Sequence, residues 1–228
     1  MSEQHARQSA SDGPSAGALP VLVELVLMSV KDATLHVLLH PRREAPYQGC
    51  YSLPRAAVDL ERGEDLPEAA ARLLAAETGD AVAPTALHQI GAFAERARDP
   101  RGRELAVAWL ALTPMSALPS PRDHGAWASL KQLPSMAFRN DAVITSARKL
   151  LRHRVDSTAL IFDLVPESFT VGELGAAQEA ALGLPYDAAN FRRRFRRMLE
   201  SGLLEPAAGR RPTRSKPAKV YRYCGPRP

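Results

Sequence analysis

Apolar positions in this chain switch between strand-like and helix-like spacing. Leu22–Val30 (LVELVLMSV) and Leu35–Arg42 (LHVLLHPR) are rich in β-formers and flank a Lys31-Asp32 turn, which predicts a hairpin. A loop, REAPYQGCYSLPR, follows. Between Ala56 and Asp80, Leu66, Ala69, Ala70, Leu73, Leu74 and Glu77 recur at helical spacing. Asp65 and Glu68 form a capping box there, Pro67 sits in the first turn and Gly79 closes the helix. Strands are predicted at Leu87–Ala94 and Leu105–Leu112, with the charged loop ERARDPRGRE between them. A Pro-rich loop precedes Trp127, and Asn140–His153 reads as an amphipathic helix. Strands and helices mixed over roughly 130 residues predict one α/β unit.

The last third has a different pattern. Phe169, Val171, Leu174 and Ala177 start an apolar stripe that reaches Leu182, with Thr170 and Glu173 as a second capping box. Gly183–Asp187 is a short turn, and Asp187 caps a further helix. In that helix Phe191, Phe195, Met198 and Leu199 form one face. Asn190, Arg193, Arg196 and Arg197 lie opposite, Arg192 and Arg194 flank them, and Gly202 ends the run. Helix, turn and helix predict a helix-turn-helix. A run of charge is often only a solvated face. Arginine, however, is suited to bidentate contact with phosphate and guanine, and asparagine pairs with adenine. Leu203–Pro206 and Lys219–Cys224 read as two short strands around a basic loop, a wing whose Arg210, Arg211, Arg214, Lys216 and Lys219 track phosphates. The alternative is a loose basic tail, against which Val220, Tyr221 and Tyr223 argue for an anchored strand. Thr170 and Tyr186, which flank the first helix and the turn, complete the DNA-facing candidates.

Charge supports this division. Residues 1–150 carry a net charge of −1 and residues 151–228 a net of +6, so the basic character belongs to the last third. Cys50 and Cys224 are too few for a disulfide framework or a zinc site, and a reduced, cytoplasmic setting is expected. His36, His40, His88, His124 and His153 show no metal-ligand spacing and read as surface or loop positions. Residues 1–18 are polar and rich in Ser, Ala and Gly, and read as a disordered tail rather than a signal peptide. No apolar run reaches the ~20 residues of a membrane span.

The stretch LP…GE…AAARLL…ETG at 53–79 resembles a worn Nudix box. Glu64 and Arg72 keep its spacing, and Leu74, Glu77 and Gly79 match their places. Two metal-ligand positions hold Leu73 and Ala76 instead of glutamate. Positions 73, 76 and 77 share one helix face, where three carboxylates would hold magnesium beside a diphosphate. Leu73 and Ala76 cannot ligate, so the box reads as structural, and no catalytic or metal-binding residue is assigned.

The order continues with Arg98-Asp99-Pro100-Arg101-Gly102-Arg103, Leu133-Pro134 with Ala137-Phe138, Pro166–Thr170, Asn190–Arg193 and Pro217–Arg222. Together these resemble the Nudix-related transcriptional regulators of the NrtR family over roughly residues 21–223. Where that family has Asp-His after Ala-Phe, this chain has Arg139-Asn140.

The resemblance implies an α/β (α+β) Nudix-like domain followed by a C-terminal winged helix-turn-helix domain, here 19–152 and 153–228. It implies a homodimer on a double-stranded DNA operator, an effector such as ADP-ribose bound without a cofactor or metal, and control of NAD metabolism genes. Arg55, Arg72 and Glu77, with Arg98, Arg101 and Arg103, are the effector-side candidates. RDPRGR suits a pyrophosphate, but a solvent-exposed connection between strands fits it equally well. Two other readings stay open: a metal-dependent Nudix hydrolase of a nucleoside diphosphate derivative with a basic accessory domain, and an RNA-binding winged helix.

Overall fold

A computed structural model of the chain describes residues 19–79, 81–121, 125–155, 159–185, 187–212 and 216–226. Strands β1 (Val21–Lys31), β2 (Thr34–Pro41), β3 (Tyr51–Ser52) and β4 (Arg55–Ala57) come first. Helix α1 (Leu66–Thr78) precedes β5 (His88–Phe93), β6 (Leu105–Leu112), β7 (Ala126–Ser129) and helix α2 (Asn140–Arg154). A 3-10 segment (Ala159–Leu164) leads to β8 (Ser168–Phe169), α3 (Val171–Leu182), α4 (Ala188–Glu200), β9 (Leu204–Arg211) and β10 (Ala218–Tyr223).

Seven strands make one mixed sheet, in the order β3-β2-β1-β6-β5, with β4 paired to β1 and β7 to β2. The β1–β6 pairing is parallel and the others are antiparallel. The expected hairpin is present, with its turn one residue later than the sequence suggests. Asp32 and Ala33 both have positive φ (49° and 51°), the left-handed pair a tight two-residue hairpin requires. Strand β1 is buried from Val23 to Leu27 and on through Ser29 because both faces are covered, which accounts for its unbroken apolar run. Val23, Leu25 and Leu27 pack with Ala69, Ala70, Leu73 and Leu74 of α1. Val26 and Met28 face the core shared with Val143, Ile144, Ala147 and Leu151 of α2. The unit is thus helix, sheet, helix. Each fully buried leucine contributes about 1.5–3 kcal/mol.

Helix α1 starts at its Asp65–Glu68 capping box and stops at Gly79, whose φ of 57° is left-handed. Helix α2 extends to Arg154, so the expected division between 152 and 153 falls within its last turn. The second core is continuous with it. Leu160, Ile161 and Phe162 join α2 to Phe169, Leu174, Phe191, Phe195 and Leu204, and α3 packs against β2. Strands β8, β10 and β9 form a three-stranded wing sheet. Its anchors are aromatic: Tyr223 stacks on Phe162 at 4.1 Å, and Tyr221 meets Phe195 edge-on at 4.9 Å. Three histidines depart from expectation. His36, His40 and His88 lie within strands, because those apolar strands have half-buried margins that tolerate them. His124 lies outside the described residues.

Candidate nucleotide pocket and nucleic-acid interface

The worn box folds as a clasp. Arg72 donates from Nε to Glu64 Oε1 at 2.6 Å and from Nη2 to Oε2 at 2.8 Å, and also reaches the Ala57 carbonyl at 2.9 Å. Glu64 accepts the Asp59 N–H as well, at 2.8 Å. The Arg72 hydrogen bonds, with the Asp59 N–H, lower the Glu64 pKa to about 2. Glu77 faces His40 of β2, Oε2 to Nε2 at 3.1 Å. Leu73 points into the α1 core, 6 % exposed, and Ala76 has no donor. The donor set therefore does not fit a divalent metal. One carboxylate is clasped by arginine, one meets a histidine, and two positions are apolar. Among the described residues no three His, Cys, Asp or Glu side chains gather as metal ligands.

Beside this clasp lies an open cavity of about 490 Å³, lined by His40, Arg42, Arg43, Ser52 and Arg55 among others. Beneath two of its arginines lies Phe138, which is fully buried. The guanidinium carbons of Arg42 and Arg55 lie 4.6 and 4.1 Å from the Phe138 ring centroid, and Tyr47 meets the ring edge-on at 5.1 Å. Arg55 Nη2 bonds Glu104 Oε2 at 2.5 Å. Its Nη1 and Glu104 Oε1 are buried without a partner among the described residues. The Arg42 pKa is lowered, first by burial and then by the charges of Arg101 and Arg55. Asp99 and Glu44 offset part of that repulsion, and Arg101 and Arg55 are themselves paired with Asp99 and Glu104.

RDPRGR contributes less to this cluster than its sequence suggests. Arg98 is 1 % exposed and forks onto Glu24, itself fully buried, with both oxygens at 2.8 Å. It also donates to the carbonyls of Phe138 (3.0 Å) and Phe93 (3.2 Å). All its donor groups face inward, so Arg98 is withdrawn from any ligand. A buried charge needs a partner, and Glu24 lies 74 positions away in sequence. Arg101 clasps Asp99, Nη2 to Oδ2 at 2.6 Å, and lowers the Asp99 pKa chiefly through that hydrogen bond. Arg103 is exposed. The structure thus gathers Arg55 with Arg42 and Arg43 at the cavity, sets Arg101, clasped by Asp99, within electrostatic reach of Arg42, and leaves Arg72 and Glu77 on the neighbouring helix. Arg42 and Arg43 follow directly on the end of β2 at Pro41 and belong to no motif in the sequence. Two adjacent arginines at the mouth of a loop were the available signal.

The second surface is α4. Asp187 caps it, accepting from the N–H groups of Ala189 (2.8 Å) and Asn190 (3.1 Å). Phe191 and Phe195 are 4 % and 5 % exposed and hold the helix against the core. Arg192, Arg193, Arg196 and Arg197 are exposed on the opposite side, and Arg194 is half-buried. Asn190 donates to Asp187 Oδ2 at 2.9 Å and accepts from Arg193, so its amide is oriented within the helix surface. A groove of about 720 Å³ runs along this face, with Gln178, Asn190, Arg193 and Arg197 in its lining.

In the wing, Arg210 and Lys219 are exposed. Arg211 instead fastens the wing to α3, bonding Glu173 Oε1 at 2.5 Å and the Ser168 carbonyl at 2.8 Å. Thr170 is 7 % exposed, and its hydroxyl caps α3 at the Glu173 N–H (3.1 Å). Thr170 and Arg211 therefore build the scaffold rather than face a ligand, because each is taken up by the Glu173 cap. Lys216 is exposed, and the candidates Tyr186 and Arg214 lie outside the described residues.

A family model described as the NrtR DNA-binding winged helix domain matches residues 161–223. The ADPR-responsive transcriptional repressor NtrR of Acinetobacter baylyi is 31% identical over 225 residues, 96% of this chain and 86% of that protein. The crystal structure of Shewanella oneidensis NrtR complexed with a 27mer DNA matches with a TM-score of 0.77 and 29% identity, covering 90% of this chain and 93% of that one. The Nudix domain of the same protein complexed with ADP-ribose matches with a TM-score of 0.50 and 30% identity, covering 62% and 94%.

Proposed function

The chain belongs to the NrtR family of Nudix-related transcriptional regulators, and from that premise we propose a ligand-responsive, DNA-binding transcriptional repressor. Residues 19–152 form its Nudix-like effector part and 153–228 its winged helix-turn-helix. The reading rests above all on α4: two buried phenylalanines hold it, and four arginines on its exposed face point to solvent. That face presents base-reading side chains, while Arg210, Lys216 and Lys219 supply phosphate contacts that set register. The protein acts as a homodimer in the cytoplasm on a palindromic operator, whose half-sites match the two-fold axis, and NAD metabolism genes are its targets.

The effector is ADP-ribose or a related nucleotide, held by Arg42, Arg55 and Arg101 beside Phe138 without hydrolysis. Binding alone suffices for control, provided the DNA-competent and DNA-incompetent arrangements differ in affinity for it. The clasp of Arg72 on Glu64, the pairing of Glu77 with His40, and the apolar Leu73 and Ala76 support binding without turnover. Gel shifts with a duplex selected from a random pool test the DNA half. Arg193→Ala/Arg197→Ala weakens binding, and the slope of log affinity against log salt falls by about 1 per lost phosphate contact. An unchanged affinity in that double variant overturns the assignment of α4.

A further inference from the structure

Helix α2 spans the distance between the two surfaces. At its N-terminus Phe138 and Arg139 both take left-handed backbone, φ 51° and 52°. That conformation is strained for residues with a side chain and persists only where the surroundings fix it. The fixing groups are the buried Arg98, whose Nε donates to the Phe138 carbonyl, and Leu53 of the cavity lining, whose N–H donates to Asn140 Oδ1 at 2.9 Å. Arg42 and Arg55 cover the Phe138 ring from the cavity side. From there Val143, Ile144, Ala147 and Leu151 carry the helix through the shared core.

Further along, Arg148 is half-buried in a cavity of about 340 Å³, with Lys131, Glu179, Gly183 and Leu184 around it. Its Nη2 lies only 2.5 Å from the point where a β-carbon on Gly183 would stand. The guanidinium thus rests on the residue that ends α3 and opens the turn into α4. Gly183 has φ 70°, and its N–H closes α3 on the Glu179 carbonyl. Helix α3 has no basic residue in its own last turn, where unpaired carbonyls carry partial negative charge. Arg148 brings the missing cation from another helix. The α4 cap, Asp187, lies four positions beyond Gly183, so the seat of this turn sets the seat of α4.

We propose that Arg148, carried on the helix that begins beside the nucleotide pocket, is a positioning residue for the recognition helix. The inference rests on the reading of α4 as the DNA-contacting helix. Arg148 acts through Gly183 and touches no DNA.

The test compares full-length wild type, Arg148→Ala and Arg148→Lys in two readouts. Hydrogen exchange is measured on the free protein at the amides from Leu184 to Phe191. Duplex affinity is measured across a salt series with the duplex that wild type selects. Loss of a helix-end cation loosens the turn, so Arg148→Ala exchanges about fivefold faster there, and duplex affinity falls by about the same factor. Because no phosphate contact is lost, the salt slope is unchanged, and Arg148→Lys restores most of the affinity. Unchanged exchange overturns the proposal. So does a slope reduced by about 1, which makes Arg148 a phosphate ligand. If wild type selects no duplex, the reading of α4 fails, and the exchange comparison alone decides whether Arg148 seats the turn.

Discussion

Replacing Arg98 with methionine separates a structural from a ligand-binding role. The side chain is 1 % exposed and Glu24 is fully buried, so the variant leaves a carboxylate without its partner inside the protein. Removing one member of a buried pair costs about 3–5 kcal/mol. The carbonyls of Phe138 and Phe93 lose their donors as well. A total near 4 kcal/mol takes up much of the ~5–15 kcal/mol that stabilises a typical fold. Urea unfolding followed by circular dichroism measures this as a lower midpoint at an unchanged slope. The double variant Glu24→Leu/Arg98→Met removes both charges and recovers part of the loss, because a well-packed apolar pair can replace a buried ion pair. A loss below about 1 kcal/mol in Arg98→Met, with ADP-ribose binding gone, contradicts a purely structural role. That outcome returns Arg98 to the ligand.

Two further predictions address the worn box. Wild type and Glu77→Gln both fail to turn over ADP-ribose in a magnesium-dependent assay; turnover in wild type that Glu77→Gln abolishes revives the hydrolase reading. The Glu64 pKa of about 2 lies below the usual 4.5, so the Arg72–Glu64 clasp stabilises the fold fully above pH 4.5 and loses that contribution as pH falls toward 2. The stability gap between wild type and Glu64→Gln, followed by thermal melts, therefore closes across that window, and a gap that persists at pH 2 contradicts the assignment.

What the chain made legible was local. The α1 and α3 capping boxes, the Gly79 stop and the Phe191–Phe195 stripe are set by residues within about two turns of one another, and each is read from spacing alone. Strand β6 runs over Leu105–Leu112 as expected because its apolar run is short and bounded. Strands β3, β4, β7 and β8, two to four residues long, depend on the partner they meet and carry no period. The 3-10 segment ALIFDL is apolar on most sides, which leaves its type undecided. The cavity is less legible. Arg55 and Arg101 stand out in the sequence as cations, but the burial of Arg98 depends on Glu24 far along the chain. Phe138 gains its place only once Arg42, Arg55 and Tyr47 converge on it. The departure at Arg139-Asn140 falls where α2 begins, in left-handed backbone.

The most direct measurement is the affinity of the full-length protein for a duplex from upstream of its own gene, with and without ADP-ribose, beside random DNA of equal length. The expected result is selective binding that ADP-ribose weakens by about fivefold or more, a typical coupling between two sites. Selective binding indifferent to ADP-ribose contradicts the assigned effector, and affinity no better than for random DNA contradicts the repressor itself.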